Sequence, residues 1–252
     1  MKTTIALALT QNLKKLNLST MVHCLKHYVR QAAENGMDYD EFLLGLTKIE
    51  LKARAENRFK RLLKEAKFPA IKTFETFDCE AVPGLDINLI QKLADGECLW
   101  QQRNIIFYGN SGTGKTHLAV ALGVEACKRG IGTRFMSGSG LVSELIEAKD
   151  RRVLKQVLRN YSRHQLIILD DFRFIPFSEE GEELLYHFLA ERYERGSLIV
   201  TTNLEFDEWK QVVRESNLAA VILNRLTHGA YIINCGCQSH GLTENGANYK
   251  LH

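Results

Sequence analysis

The chain has 252 residues, of which 45% are hydrophobic and 25% are charged, which is ordinary for a soluble globular protein. No apolar run approaches the roughly 18 residues of a membrane span, and the apolar patch at 5–9 is too short for the core of a signal peptide. We therefore expect a cytoplasmic protein without a membrane partner.

The formal net charge of +3 is unevenly distributed along the chain. Residues 1–72 hold 14 Lys and Arg against 7 Asp and Glu, whereas the remainder holds 19 against 23. A basic appendage on a near-neutral body favours an acidic partner, most simply nucleic acid. The six cysteines lack the spacing of a zinc site, so we expect reduced thiols.

The first part of the chain has helical periodicity. Apolar residues recur at helical spacing over 18–33, with Gly36 as the stop signal, and again over 40–67. We predict a small, basic, all-helical domain over 1–70 and a second domain over 71–252. Basic residues crowd the second helix, and either a solvated helix face or contact with DNA phosphates would explain them. The candidates for DNA contact are Lys48, Lys52, Arg54, Arg58 and Arg61.

The most informative segment joins a predicted strand at 104–108 to a predicted helix at 117–128. It fits the phosphate-binding pattern G-x-x-x-x-G-K-[ST] at every fixed position. Its glycines let backbone N–H groups approach a polyphosphate, its lysine reaches the β- and γ-phosphates, and its last hydroxyl binds Mg²⁺. The candidate nucleotide-binding residues are Gly109, Asn110, Ser111, Gly112, Thr113, Gly114, Lys115, Thr116 and His117.

Strands and helices alternate after this loop. A glycine turn is expected at Gly138 and Gly140, and a further helix is expected before the loop, at 86–93. Alternation of this kind predicts a parallel sheet with helices on both faces. The strands are predicted at 133–136, 166–169, 197–201 and 231–234, and the helices at 141–148, 152–161, 179–195 and 218–226.

Two acids follow the buried strand 166–169, at the end where ligands bind in open α/β sheets. We expect Asp170 to hold Mg²⁺ beside Thr116, and Asp171 to act as the general base on the attacking water. Adjacent strand residues point to opposite sides, which would separate these two roles. Asn203, at the end of the next strand, can orient that water or contact the γ-phosphate.

Arg225 is a candidate for stabilising charge on the γ-phosphate from a neighbouring subunit, and this role implies an oligomer. The alternative is a surface salt bridge of little energetic value.

These motifs, in this order, resemble the AAA+ ATPases, and most of all the IstB-like family. Those proteins are ATP-dependent helpers encoded beside the transposase of certain insertion sequences, and they are similar to the DnaC helicase loaders and more distantly to the DnaA initiators. The likeness covers nearly the whole chain. It includes Ala66-Lys67-Phe68-Pro69, Tyr108 through Ala119, Leu169-Asp170-Asp171-Phe172, Thr201-Thr202-Asn203-Leu204 and Leu223-Asn224-Arg225-Leu226-Thr227-His228.

The chain departs from the family pattern in three places. Arg173 stands where the family usually has glycine, Asn224 stands where it usually has aspartate, and the tail from Cys235 through Cys237 to Gly246 is longer than expected. Few residues follow Arg225, so we expect no full C-terminal helical lid.

The resemblance implies that ATP drives assembly of subunits on duplex DNA, with the nucleotide at subunit interfaces and Arg225 reaching across. The assembly would select target DNA and recruit or stimulate the transposase, and hydrolysis would reset it. A helicase loader acting on single-stranded DNA is the main alternative. A small-molecule kinase would need an arginine-rich lid that the sequence lacks, and Asp171 with Asn203 disfavours an ATP-binding scaffold without hydrolysis.

Overall fold

The computed structural model describes residues 2–78, 82, 85–96, 99, 101–172, 178–193, 195–204 and 217–236. The chain forms two compact units, residues 1–61 and 62–252. This division lies nine residues before the predicted boundary at 70, since the last turn of the third helix belongs to the second unit. In that turn Ala66 is fully buried, and the ring of Phe68 that follows packs edge-on against Phe135.

The N-terminal unit is helical, as the periodicity predicts. Gly36 ends the second helix with a left-handed φ of 63°, and its N–H donates to the carbonyl of Ala32. The helices are α1 (Lys2–Lys15), α2 (Ser19–Asn35) and α3 (Tyr39–Ala66).

A buried carboxylate ties α2 to α3. Glu50 is only 4% exposed, and its two oxygens accept hydrogen bonds from the Met21 N–H at 3.0 Å and from Arg54 Nε at 2.9 Å. Burial by itself would raise the pKa of Glu50, but the hydrogen bonds from Arg54 and Met21 outweigh it and hold the pKa below its usual value. Glu50 therefore caps the N-terminus of α2 from a neighbouring helix.

The second unit alternates strands and helices as predicted. A short 3₁₀ turn, Phe74–Thr76, precedes them. The helices are α4 (Ile87–Ala94), α5 (Lys115–Lys128), α6 (Gly138–Asp150), α7 (Leu154–Ser162), α8 (Glu179–Arg192) and α9 (Asn217–Thr227). The strands are β1 (Ile105–Tyr108), β2 (Thr133–Ser137), β3 (Leu166–Asp170), β4 (Ser197–Thr202) and β5 (Tyr231–Asn234).

Two local predictions need correction. Gly138 and Gly140 do not form a turn, since both lie in the first turn of α6, where the Ser137 side chain accepts from the Gly140 N–H. Gly138 is needed for packing, because a Cβ there would lie 2.6 Å from the ring of Phe172. Helix α8 ends at Arg192 rather than at 195, because Tyr193 adopts an extended conformation.

The five described strands form one parallel sheet in the order β2-β3-β4-β1-β5. Alternate residues of each strand enter two separate cores, with Ile106 and Ile167 on one face and Phe107 and Ile168 on the other. Helices cover both faces, which explains the continuous apolar runs within β1, β3 and β4. This arrangement places the carboxyl ends of β1, β3 and β4 side by side.

Candidate functional site

The phosphate loop joins β1 to α5 and depends on its glycines. Gly109, Gly112 and Gly114 have φ of 131°, 83° and 83°, values that favour glycine. A Cβ on Gly109 would also lie 2.8 Å from the backbone nitrogen of Gly236, just after β5. The loop therefore packs tightly against the end of β5 and turns its backbone toward the start of α5.

Lys115 lies inside the curve of this loop. Its Nζ donates to the carbonyls of Gly109 at 2.7 Å and Asn110 at 2.5 Å, and the residue is only 6% exposed. Burial lowers the pKa of Lys115, and the carboxylates of Asp170 and Asp171 partly oppose that shift. The Lys115 ammonium, the N–H groups of the loop and the N-terminus of α5 thus all favour a bound anion at this place.

Thr116 and Asp170 meet as predicted. The Thr116 hydroxyl donates to Asp170 Oδ1 at 2.7 Å, and the hydroxyl of Thr201 on β4 donates to the same oxygen at 2.6 Å. Hydroxyl and carboxylate oxygens are ligands of the kind that Mg²⁺ prefers. Within the described ranges, no cluster of three or more His, Cys, Asp or Glu forms.

Asp171 lies next to this pair but outside the strand. Strand β3 ends at Asp170, and Asp171 has a left-handed φ of 48°. The backbone therefore turns at Asp171, and the two acids are not successive residues of one strand as predicted. The Thr201 side chain accepts from the Asp171 N–H at 2.9 Å, and Asn203 Nδ2 donates to Asp171 Oδ1 at 3.4 Å.

Thr201 was expected to be only a strand residue. It is 2% exposed, and its hydroxyl bonds both the Asp170 carboxylate and the Asp171 backbone. The two adjacent threonines that follow the apolar run 198–200 are the signal that would have found it. Thr201 thus fixes the relative positions of the two acids.

Most of the phosphate loop lines a cavity of about 450 Å³, together with Asp171, Thr201 and Asn203. It is bounded by the phosphate loop on one side and by the ends of β3 and β4 on the other. The lining residues are Lys72, Ser111, Gly112, Thr113, Gly114, Lys115, Thr116, His117, Asp171, Thr201 and Asn203. Lys72 and Thr201 are the two lining residues that were not predicted as site residues.

Arg225 does not join this cavity. It lines a separate cleft of about 260 Å³ with Asn104, Gly196 and Gly229. These three residues precede β1, β4 and β5, so the cleft lies at the amino ends of the strands, opposite the carboxyl ends that border the cavity. Its guanidinium lies 4.4 Å from the ring centroid of Tyr186, and Nη2 donates to the Tyr186 hydroxyl at 3.1 Å. Among the described residues, buried Nη1 has no hydrogen-bond partner.

The five candidate DNA-binding residues are all exposed on α3. Helical spacing places Lys48 and Lys52 on one face and Arg54, Arg58 and Arg61 on another. Arg54 also has a structural contact, since its guanidinium donates to Glu50 and to the Asn17 carbonyl.

Two further sequence features lie partly outside the described residues. Arg173 and the tail from Cys237 onward belong to the part that is not described. Cys235 is a buried free thiol, and burial raises its pKa to about 12.

Comparison with known proteins identifies the family. The profile of the IstB-like ATP binding protein family matches residues 11–246. The chain belongs to this family.

Relatives of similar length support this assignment. The chain is 33% identical to the protein named as ATP-binding in insertion sequence IS232 of Bacillus thuringiensis, over 94% of this chain and 95% of that one. It is also 33% identical to the corresponding IS21 protein of Pseudomonas aeruginosa, over 92% and 88%. The predicted resemblance is thus confirmed.

Solved structures confirm the fold. The crystal structure of the DnaC helicase loader matches with a TM-score of 0.52 and 22% identity, over 58% of this chain and 86% of that one. AMPPCP-bound DnaA from Aquifex aeolicus matches with a TM-score of 0.54 and 22% identity, over 67% and 50%. The predicted phosphate-loop AAA+ fold, with a parallel sheet between helices, is therefore correct. Across the described ranges, none of the helices combines the length and apolar character needed to cross a bilayer.

Proposed function

We propose that this IstB-like protein is a Mg²⁺-dependent ATPase of the cytoplasm that assembles on duplex DNA, selects target DNA and recruits or stimulates a transposase. The observation that carries the proposal is the convergence of Asp170, Asp171 and Asn203 on the phosphate loop, in a chain that matches insertion-sequence ATP-binding proteins along most of its length.

In the proposed reaction, water attacks the γ-phosphorus while the bond to the β–γ bridging oxygen breaks, giving ADP and inorganic phosphate. Asp171 accepts the proton of the attacking water, and Asn203 holds the Asp171 carboxylate in place. Lys115 stabilises charge on the phosphate oxygens as the bond breaks. Mg²⁺, held by Thr116 and Asp170, would supply further positive charge at those oxygens.

The DNA-binding part of the proposal rests on the basic excess of the N-terminal unit. We expect binding of duplex DNA in the presence of ATP, with log K falling linearly as log salt rises. Lys52→Ala should reduce that slope by about 1, because Lys52 is exposed and would neutralise one phosphate. Fluorescence anisotropy at several salt concentrations measures both slopes.

Lys155→Ala is the matched control, since Lys155 is an equally exposed lysine on α7 of the ATPase unit. A DNA affinity that does not change with salt, or a salt slope that is the same for Lys52→Ala and Lys155→Ala, would argue against DNA contact by α3. Preference for single-stranded DNA, with capture of a ring helicase in place of a transposase, would favour a DnaC-like helicase loader.

We further propose that Arg225 acts on the nucleotide of a neighbouring subunit. It lies in a different cleft from Lys115 of its own chain, and among the described residues its Nη1 has no hydrogen-bond acceptor. Arg225→Ala should lower kcat by about 10³-fold with ATP binding retained. Each active interface would need Lys115 of one subunit and Arg225 of its neighbour. When the Arg225→Ala and Lys115→Ala variants are mixed and assemble at random, about one interface in four has both residues, so the mixture should recover up to about a quarter of the wild-type rate.

Steady-state phosphate release on the separate and mixed variants checks this expectation. Arg159→Ala, which removes an exposed arginine from α7, serves as the control and should hydrolyse ATP normally. Mixtures that remain as inactive as their components would rule out action between subunits.

A further inference from the structure

The segment just before the ATPase core lies against the phosphate loop. His117 Nε2–H donates to the carbonyl of Thr73 at 2.8 Å. The His117 ring also meets the edge of the Phe77 ring, with centroids 5.2 Å apart. His117 directly follows the magnesium-site threonine on α5, so this contact joins the segment to the start of the nucleotide-binding helix.

Two further features fix the segment in place. The Thr76 hydroxyl accepts from the Thr73 N–H and donates to the Thr73 carbonyl, which closes the 3₁₀ turn at 74–76. The ring of Phe77 packs so close to Gly114 that a Cβ on this glycine would lie 2.8 Å from it. Thr73 and the turn that follows it are therefore held against the phosphate loop, and Lys72 directly precedes this anchored turn.

This anchoring places Lys72 on the wall of the nucleotide cavity, together with the phosphate loop, Asp171 and Asn203. Lys72 is half-buried, whereas the Nζ of the other lysine of the cavity, Lys115, is directed to the loop carbonyls. A triphosphate carries several negative charges, so a second ammonium on the wall that faces it is electrostatically complementary.

We propose that Lys72 binds the polyphosphate of the nucleotide. The inference rests on the proposed ATP binding and adds a ligand contact from outside the phosphate loop. A bound triphosphate is then contacted from two sides, by the phosphate loop and by the segment that follows α3.

Titration calorimetry on the full chain with Mg-ATP, Mg-ADP and adenosine tests this contact. Lys72→Ala should weaken Mg-ATP binding by about 10-fold, as expected for the loss of one charge-assisted hydrogen bond, and should leave adenosine binding unchanged. Lys72→Arg should bind within about threefold of wild type, because charge and reach are kept. Lys92→Ala, an exposed lysine on α4 outside the cavity, should bind as wild type.

Loss of Lys72 should also reduce the salt dependence of Mg-ATP affinity, which a purely structural role would not change. Wild-type affinity in Lys72→Ala, or equal weakening for adenosine and ATP, would overturn the proposed contact. Absence of Mg-ATP binding by the wild-type chain would instead overturn the proposed function, and this inference with it.

Discussion

Lys115→Ala should lower the affinity for Mg-ATP by about 100-fold and should abolish ATP-dependent DNA binding. The ammonium is the charge that the phosphate loop encloses, and a hydrogen bond to a charged group contributes about 1.5–3 kcal/mol. The substitution also leaves the carbonyls of Gly109 and Asn110 without the donor that they share in this structure. Calorimetry with Mg-ATP measures the first effect, and anisotropy on duplex DNA with and without ATP measures the second.

Lys128→Ala is the matched control, because Lys128 lies at the other end of the same helix and its ammonium pairs with Glu125 at 2.6 Å on the surface. That variant should bind ATP and DNA as wild type. If Lys115→Ala kept DNA affinity that still responded to ATP, the proposed coupling between nucleotide and DNA would be wrong.

Asp171→Asn should reduce turnover by about 10²- to 10⁴-fold, the usual contribution of a general base, while Mg-ATP affinity stays within about threefold. Asparagine suits this position because it tolerates the left-handed backbone that Asp171 adopts. Its side-chain carbonyl can still accept from Asn203, so the variant removes the base with little disturbance of its surroundings. Single-turnover phosphate release and calorimetry on the same protein separate the two effects.

The same variant should remain bound to DNA in the presence of ATP, because hydrolysis is the proposed reset. Asp150→Asn, at the exposed end of α6, provides the control. A normal rate of hydrolysis by Asp171→Asn would place the base on another residue.

The geometry of the candidate nucleotide site was largely predictable because its signals are local. The phosphate loop has a fixed pattern, and each strand that surrounds it is an apolar run that ends in polar residues. The pairing of Thr116 with Asp170 followed from these motifs, since the carboxyl ends of parallel strands share one edge of the sheet. The order β2-β3-β4-β1-β5 was not predictable, because crossover connections allow several orders for the same alternation.

What the sequence did not reveal depends on contacts between distant segments. The turn at Asp171 is held by Thr201 from another strand, and the position of Lys72 is set by the bond between His117 and Thr73. Periodicity describes one segment at a time and carries no information about such pairs. The predicted helix at 179–195 was too long because the backbone leaves the helical conformation at Tyr193, which periodicity did not indicate.

The sheet order also dictates when the site can form during synthesis. Strand β1 leads into the phosphate loop, but it pairs only with β4 and β5, which are made much later. On the ribosome the helices of the N-terminal unit can assemble early from local contacts, whereas β1 gains its two neighbours only once residues 231–234 have emerged. We therefore expect nucleotide to stabilise the second unit only after β4 and β5 have paired with β1.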